Sequence, residues 1–335
     1  MFYWLKDKLS KSNVVKAVFS VLPDWLLRAR PLRQAIIEPT NICNLSCLFC
    51  TNRFSQKPKG VMTKEQFQRL MDLLPKTIKK VTLHFSGESF VNPDVPEMVK
   101  ILKERGIKVQ MSTNGTMSFD VYRRAVENGL DLMLVAVDGP NKEVHERYRI
   151  NSNFGQITET IKKLCSLPNR KTKIVIQYLV MRHNEELIPE MKRLAEDLGA
   201  DELWLKTTSF NIASNQRMEE DALRSAREFL PQNPKYCRYR IEGGQLLNND
   251  KPKVCNWIWQ TVILWNGDLA ICCADLENQV KIGNVFQEEF AKLWKSKRYA
   301  EVRKAMIRQS LPPCRNCNVV NKPYVEKILI SSKNL

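Results

Sequence analysis

The 335-residue chain has no apolar run approaching the ~20 residues that a membrane-spanning helix requires. It also lacks a secretory signal: aromatics come first in residues 1–33, and lysine interrupts the apolar pattern there. The ten cysteines are clustered and do not form a disulfide framework, which points to a reducing, cytoplasmic compartment and to metal binding. There is no internal repeat and no low-complexity tract. Aromatic residues are not interleaved with basic ones as in RNA-binding surfaces, so no specific nucleic-acid partner is expected. Carboxylates are scarce beside cations, 36 Asp and Glu against 53 Lys and Arg, for a net charge of +17. That surplus suits an anionic partner such as a phosphorylated substrate or a membrane surface, and suits a lysine-rich soluble face equally well. A hydrophobic fraction of 43% and this length support one large domain with a smaller one.

Most informative is the stretch at 38–50, EPTNICNLSCLFC. Cys43, Cys47 and Cys50 are spaced Cys-x3-Cys-x2-Cys, directly after an apolar Ala35-Ile36-Ile37 that reads as a strand. Three thiolates on one loop can hold three corners of a [4Fe–4S] cluster and leave the fourth iron open to a small molecule. Structural zinc wants four ligands and usually CxxC pairs, which this loop does not offer. The stretch resembles the cluster loop of radical S-adenosylmethionine (SAM) enzymes, CxxxCxΦC, with Phe49 as the aromatic Φ. The resemblance implies that SAM chelates the open iron. Reductive cleavage would then give a 5′-deoxyadenosyl radical that abstracts a substrate hydrogen, with the electron coming from a flavodoxin- or ferredoxin-type donor.

Between 35 and 207 strand and helix patterns alternate. Strands read at 35–40, 81–86, 107–113, 131–138, 173–181 and 202–207. Helices read at 63–74, 96–105, 119–128, 154–167 and 185–198. The first of these helices opens on a Thr63/Gln66 capping-box pattern, and three end on Gly106, Gly129 and Gly199. Six such units imply a parallel sheet with crossover helices, too few strands for a closed eight-stranded barrel. The fold class is therefore α/β, an open partial (β/α)6 TIM-type barrel, which is also what the resemblance implies. Catalytic groups belong at the C-terminal strand ends. The expected organisation is an amphipathic basic helical segment at 1–33, a lid or a membrane-surface contact on the inner face; the partial barrel at 34–215; and a linker helix with a small α+β iron–sulfur domain at 216–335. In the last part an Asn266-Gly267 turn joins two strands, and 287–305 reads as one helix.

The resemblance assigns SAM contacts to the strand ends. Ser86-Gly87-Glu88 stands where the family often has Gly-Gly-Glu around the SAM amino group. Ser112 and Asn114 stand where ribose contacts fall. Asp138 ends the fourth strand, where Ala136 replaces the family's usual serine, and it is a candidate contact to SAM or substrate. His145 and Arg149 match the family's His-x3-Arg segment, and Arg149 or Arg147 is suited to fork onto the SAM carboxylate. Candidate substrate contacts are His84, Gln110, Gln177, Tyr178 and Lys206.

A second cysteine set comprises Cys255, Cys272, Cys314 and Cys317. Four thiolates suit either zinc or a fully ligated [4Fe–4S] cluster. Behind such a barrel they resemble the SPASM and Twitch extensions, and the low number of cysteines fits the one-cluster Twitch form. Cys273 competes with Cys272 as the ligand, though the Gly-x4-Cys spacing favours Cys272. A fully ligated auxiliary cluster suits electron transfer, so the resemblance implies oxidation of an alcohol in a sugar or aminocyclitol. Peptide modification, modification of a lipid or glycan, and a non-catalytic iron–sulfur scaffold are the alternatives.

Overall fold

The computed structural model describes residues 30–210, 216–249, 255–315, 317 and 324–330, with Pro23, Trp25 and Arg28. The amphipathic segment expected over 1–33 otherwise lies outside the described residues, and so does the membrane-surface contact assigned to it. No helix among the described residues is long and apolar enough to cross a membrane.

Six parallel strands follow one another in sequence order: β1 (Gln34–Ile37), β2 (Lys80–Thr82), β3 (Lys108–Thr113), β4 (Leu132–Ala136), β5 (Lys173–Val180) and β6 (Glu202–Thr207). Crossover helices link them: α1 (Thr51–Phe54) and α2 (Lys64–Leu73), then α3 (Val95–Glu104), α4 (Phe119–Glu127), α5 (Lys142–Tyr148), α6 (Phe154–Cys165) and α7 (Ile188–Asp197). The strands are apolar on both faces where helices cover them, as in Ile174, Val175 and Ile176 of β5, all fully buried. This is the open partial (β/α)6 barrel. The capping box forms at α2: the Gln66 backbone N–H donates to Thr63 Oγ1 (3.2 Å), and the Thr63 N–H donates to Gln66 Oε1 (2.9 Å).

After α8 (Gln216–Phe229), β7 (Tyr239–Glu242) and β8 (Gln245–Asn248) form a separate hairpin. The C-terminal region then returns to the main sheet. Strand β9 (Thr261–Ile263) pairs in parallel with β1, and β10 (Leu269–Ala270) pairs antiparallel with β9. At the opposite edge β11 (Tyr324–Leu329) runs antiparallel to β6. The sheet thus has nine strands, and both edges of the barrel are occupied by C-terminal chain. The turn between β9 and β10 needs its glycine twice over. Gly267 has φ +88°, and a methyl group there would lie 2.4 Å from the Phe286 ring.

Local side-chain chemistry explains where the elements depart from the sequence reading. The single helix expected over 287–305 is two, α9 (Phe290–Trp294) and α10 (Lys297–Arg308). Ser296 breaks it by leaving the helical region and accepting the Tyr299 N–H at 3.0 Å, so it caps α10. Helix α5, absent from the sequence reading, is started in the same way by Asn141, which accepts the Val144 N–H.

Candidate active site

The cysteine loop leaves β1 and is fixed by buried polar groups before the first cysteine. The Thr40 hydroxyl donates to the Gly60 carbonyl (2.7 Å) and accepts from the Ile42 N–H (3.0 Å). The Asn41 amide spans to Pro58 O and the Gly60 N–H, and Asn92 donates to Pro39 O and Met62 O. Further along, the Ser46 and Leu48 N–H groups donate to Ile150 O and Tyr148 O, tying the loop to the chain after α5. Phe49 stacks on Tyr148 at 4.4 Å and packs on Phe210 and Phe229. These contacts make Phe49 the keystone of a small aromatic core as well as part of the cavity wall.

Cys43, Cys47 and Cys50 face a cavity of about 390 Å³. Burial pushes Cys47 up to about 12, and Arg149 opposes that shift. Burial also raises Cys43. Among the described residues no three His, Cys, Asp or Glu side chains converge on a single-ion site. Thiols spread around one cavity fit a polynuclear cluster, in which each cysteine takes its own iron.

The same cavity collects Ser86, Gly87, Glu88, Ser112, Asn114 and Arg149, all expected there from the sequence. Gly87 lies against the cysteine loop so closely that a methyl group would sit 2.5 Å from Ile42 O and 2.7 Å from Thr40 O. The Glu88 N–H donates to Ile42 O at 2.9 Å. The Glu88 carboxylate is buried, which raises its pKa, and it accepts from Asn114 N–H (2.7 Å), the Thr113 hydroxyl (2.8 Å) and Phe90 N–H (3.2 Å). It therefore shapes the β2 and β3 ends as much as it faces the cavity. The Asn114 amide donates to Asn44 Oδ1 (2.9 Å), and its carbonyl oxygen accepts the Thr116 N–H.

Two expectations need correction. Asp138 does not line the cavity, because its carboxylate is spent on the Arg149 guanidinium (2.6 Å) and the Leu179 N–H (2.8 Å). It acts through Arg149, the residue that does line the wall. Burial lowers the Arg149 pKa, but Asp138 and Cys47 outweigh it, so the shift is upward and the group stays charged. Arg147, the alternative, is exposed and pairs with Glu228. Tyr178 is buried and donates its hydroxyl to Asn184 O (2.7 Å), out of reach of substrate.

Of the second cysteine set, Cys272 is in the main core and Cys273 is on the cavity wall. Burial first and then the Cys317 thiol raise Cys255 to about 12 and Cys314 to about 11. Cys272 and Cys273 are each raised by burial and by the nearby Cys255 and Cys317. Each of the four thus interacts electrostatically with at least one other member of the set. Arg303 stiffens it from behind. Fully buried between Trp294 (4.1 Å) and Tyr299 (4.0 Å), it donates to Ile258 O and Trp294 O. Ile258 belongs to the 3-10 turn Asn256–Trp259 that follows Cys255.

A second cavity, about 520 Å³, continues from the first into the barrel, and Cys50, His84, Ser86, Lys206 and Cys273 line both. Of the expected substrate contacts, His84, Gln110 and Lys206 are on its wall, and Gln177 is on the first cavity's. Burial lowers His84 to about 4. Burial, then Arg238 and Arg149, push Lys206 down to about 8.

Several contributors escaped the sequence reading. Glu38, fully buried, accepts the Ser86 hydroxyl, and Arg238 holds Thr207. Glu38 had one signal, a carboxylate at the end of an apolar strand. Arg238 had none.

A family model for the Radical SAM superfamily matches residues 37–195, and one for the SPASM iron–sulfur cluster-binding domain matches residues 255–318. The chain is 23% identical to the tungsten-containing aldehyde ferredoxin oxidoreductase cofactor-modifying protein of Pyrococcus furiosus, over 86% of this chain and 88% of that protein. It is also 23% identical to the antilisterial bacteriocin subtilosin biosynthesis protein AlbA of Bacillus subtilis, over 78% of this chain and 59% of that protein. BtrN in complex with AdoMet and 2-DOIA superposes with a TM-score of 0.52 at 15% identity, covering 89% of this chain and 98% of BtrN. Streptococcus suis SuiB bound to the precursor peptide SuiA gives 0.58 at 16% identity, covering 82% and 67%.

Proposed function

The chain is a radical SAM protein with a SPASM-type iron–sulfur domain, and from that premise we propose that it oxidises an alcohol of a sugar or cyclitol type to a carbonyl. Its cofactors are SAM, the SAM-binding [4Fe–4S] cluster and an auxiliary [4Fe–4S] cluster. When bound, these supply a 5′-deoxyadenosyl radical as hydrogen-atom acceptor and an iron–sulfur centre as electron acceptor.

The rest falls to the chain's own residues. Cys43, Cys47 and Cys50 hold the first cluster. Gly87 lets SAM and the cysteine loop share one narrow site, Asn114 and Ser112 meet the ribose, and Arg149, held charged by Asp138, meets the SAM carboxylate. Cys255, Cys272, Cys314 and Cys317 hold the second cluster. Leu45, Leu179 and Phe49 line the cavity and would keep water from the reacting groups. The observation that carries the reading is that Cys50 and Cys273 border the same cavity. A substrate lying there would border the cysteine loop at Cys50 and, through Cys273, the segment that carries its neighbour Cys272. A basic wall group would take the hydroxyl proton, while the bound cofactors would supply the hydrogen-atom acceptor and the one-electron acceptor that alcohol oxidation needs.

Peptide modification is the second reading, and the likeness to AlbA and to SuiB with its peptide supports it. One experiment separates the two. The anaerobically reconstituted enzyme is offered C-deuterated polyols and sugars. Alcohol oxidation transfers deuterium to 5′-deoxyadenosine with one carbonyl formed per SAM cleaved. Absence of carbonyl product, with turnover of a peptide instead, removes the first reading.

A further inference from the structure

His84 stands where β2 gives way to the loop beside the cysteines, and its ring completes a ladder that the backbone leaves unfinished. Strands β2 and β3 pair in parallel with Thr82 opposite Gln110, and the Leu83 N–H continues the ladder to Gln110 O at 3.0 Å. The next rung of a parallel ladder would carry the Ser112 N–H to the Leu83 carbonyl. That carbonyl is taken instead by the Ser89 hydroxyl (2.9 Å). The Ser112 N–H goes to His84 Nδ1 at 3.2 Å.

A backbone N–H can only donate, so Nδ1 carries a lone pair and the neutral ring carries its proton on Nε2. Protonating Nδ1 would break the Ser112 bond. Burial, then the Lys206 charge, act in the same direction and hold the ring's pKa down at about 4. Nε2 makes no hydrogen bond with a described residue. The ring borders both cavities, whereas Gly87, Glu88, Asn114 and Arg149 border the first alone. His84 thus stands where the cavity assigned to SAM meets the interior of the barrel, on the stretch of wall that also carries Cys50 and Cys273.

We infer that His84 is a fixed hydrogen-bond donor to the reacting oxygen of the substrate, presenting Nε2–H from a neutral ring. A donor of this kind fits the alcohol and the carbonyl formed from it alike, since both oxygens accept. The bond strengthens as that oxygen loses its proton, so the ring holds the oxygen in place through the reaction and takes no proton itself. The base is therefore another wall group. The inference rests on reading the meeting of the two cavities as the place where the alcohol is oxidised.

The test is nitrogen NMR of the anaerobically reconstituted protein carrying isotope-labelled histidine. With three histidines in the chain, the His84 ring signals are identified by their loss in His84→Gln. The probes are myo-inositol and glucose, and carbonyl product is followed separately. The expected result at about pH 7 is a protonated Nε2 and an unprotonated Nδ1, with the Nε2 signal moved by at least one probe. Two variants separate touching the substrate from closing the ladder. Asn ends near the position of Nδ1 and can still accept from Ser112, whereas Gln reaches the position of Nε2 and can still donate there. His84→Asn should weaken probe binding about tenfold, the loss of one hydrogen bond, and His84→Gln by about threefold or less. A part limited to closing the ladder would reverse that order. Iron content and thermal unfolding report whether the variants fold, and if either does not, the wild-type spectrum decides alone. An Nδ1–H or doubly protonated ring at about pH 7, no Nε2 response to either probe, or His84→Asn binding as tightly as His84→Gln overturns the inference. If carbonyl forms while Nε2 does not respond, the inference fails and alcohol oxidation stands. If Nε2 responds as expected and no carbonyl forms, alcohol oxidation fails and the donor stands.

Discussion

Replacing Gly87 by alanine tests how the SAM site is assembled. The added methyl group would meet Ile42 O at 2.5 Å, Thr40 O at 2.7 Å and the Asn41 carbonyl carbon at 2.8 Å. All three are backbone atoms of the cysteine loop, so no side chain can rotate away. The loop must retreat from the β2 end, and the Glu88 N–H to Ile42 O bond stretches with it. Overpacking of this kind costs about 1–3 kcal/mol. The functional loss should be larger than the stability loss, because a shift of about 1 Å between reacting groups costs on the order of 100-fold in rate. The assay is anaerobic SAM cleavage, followed as 5′-deoxyadenosine, beside iron content and thermal unfolding. Gly106→Ala is the control. A methyl group there meets nothing within 4 Å, and only the left-handed φ of +69° is strained. It should lose about 1–2 kcal/mol of stability with SAM cleavage intact. Wild-type SAM cleavage in Gly87→Ala would refute the claim that this contact sets the site.

Asp138→Asn leaves Arg149 buried without its anion; we expect a loss of about 3–5 kcal/mol in chemical denaturation and a raised KM for SAM. His145 is fully buried with its pKa lowered by burial to about 4, below its unfolded value. Its contribution is therefore complete above about pH 6.5 and is lost as pH falls toward 4, by up to about 3 kcal/mol, so denaturation midpoints should fall less steeply with acid in His145→Gln. Cys272→Ala should abolish the second cluster's spectroscopic signal while Cys273→Ala keeps it; the opposite pattern would make Cys273 the ligand. Arg303→Met should destabilise the C-terminal region by a few kcal/mol and lower second-cluster occupancy, read as iron per chain after reconstitution.

Much of the fold was legible because it rests on short-range rules. The capping box at Thr63 and the glycine stops at Gly106, Gly129 and Gly199 mark helix ends through backbone chemistry alone. The return of β9 and β11 to the barrel edges was not legible, because pairing of β1 with β9 and of β6 with β11 joins segments far apart in sequence and leaves no local trace. The site divides in the same way. Cys43, Cys47, Cys50, Gly87 and Asn114 belong to short motifs at strand ends. Asp138 read as a ligand contact because its motif position cannot show that Arg149, eleven residues on, takes its carboxylate. Arg238 enters the cavity from beyond the barrel strands, so its role depends wholly on tertiary packing.

The central claim is that one chain holds two clusters on separate cysteine sets, and iron stoichiometry with electron paramagnetic resonance tests it most directly. Anaerobic reconstitution should give about eight irons per chain. The Cys43→Ala, Cys47→Ala, Cys50→Ala triple variant should hold about four, keep the second cluster's signal and cleave no SAM. Zinc in the C-terminal site, or a triple variant that loses all of its iron or still cleaves SAM, would contradict the account.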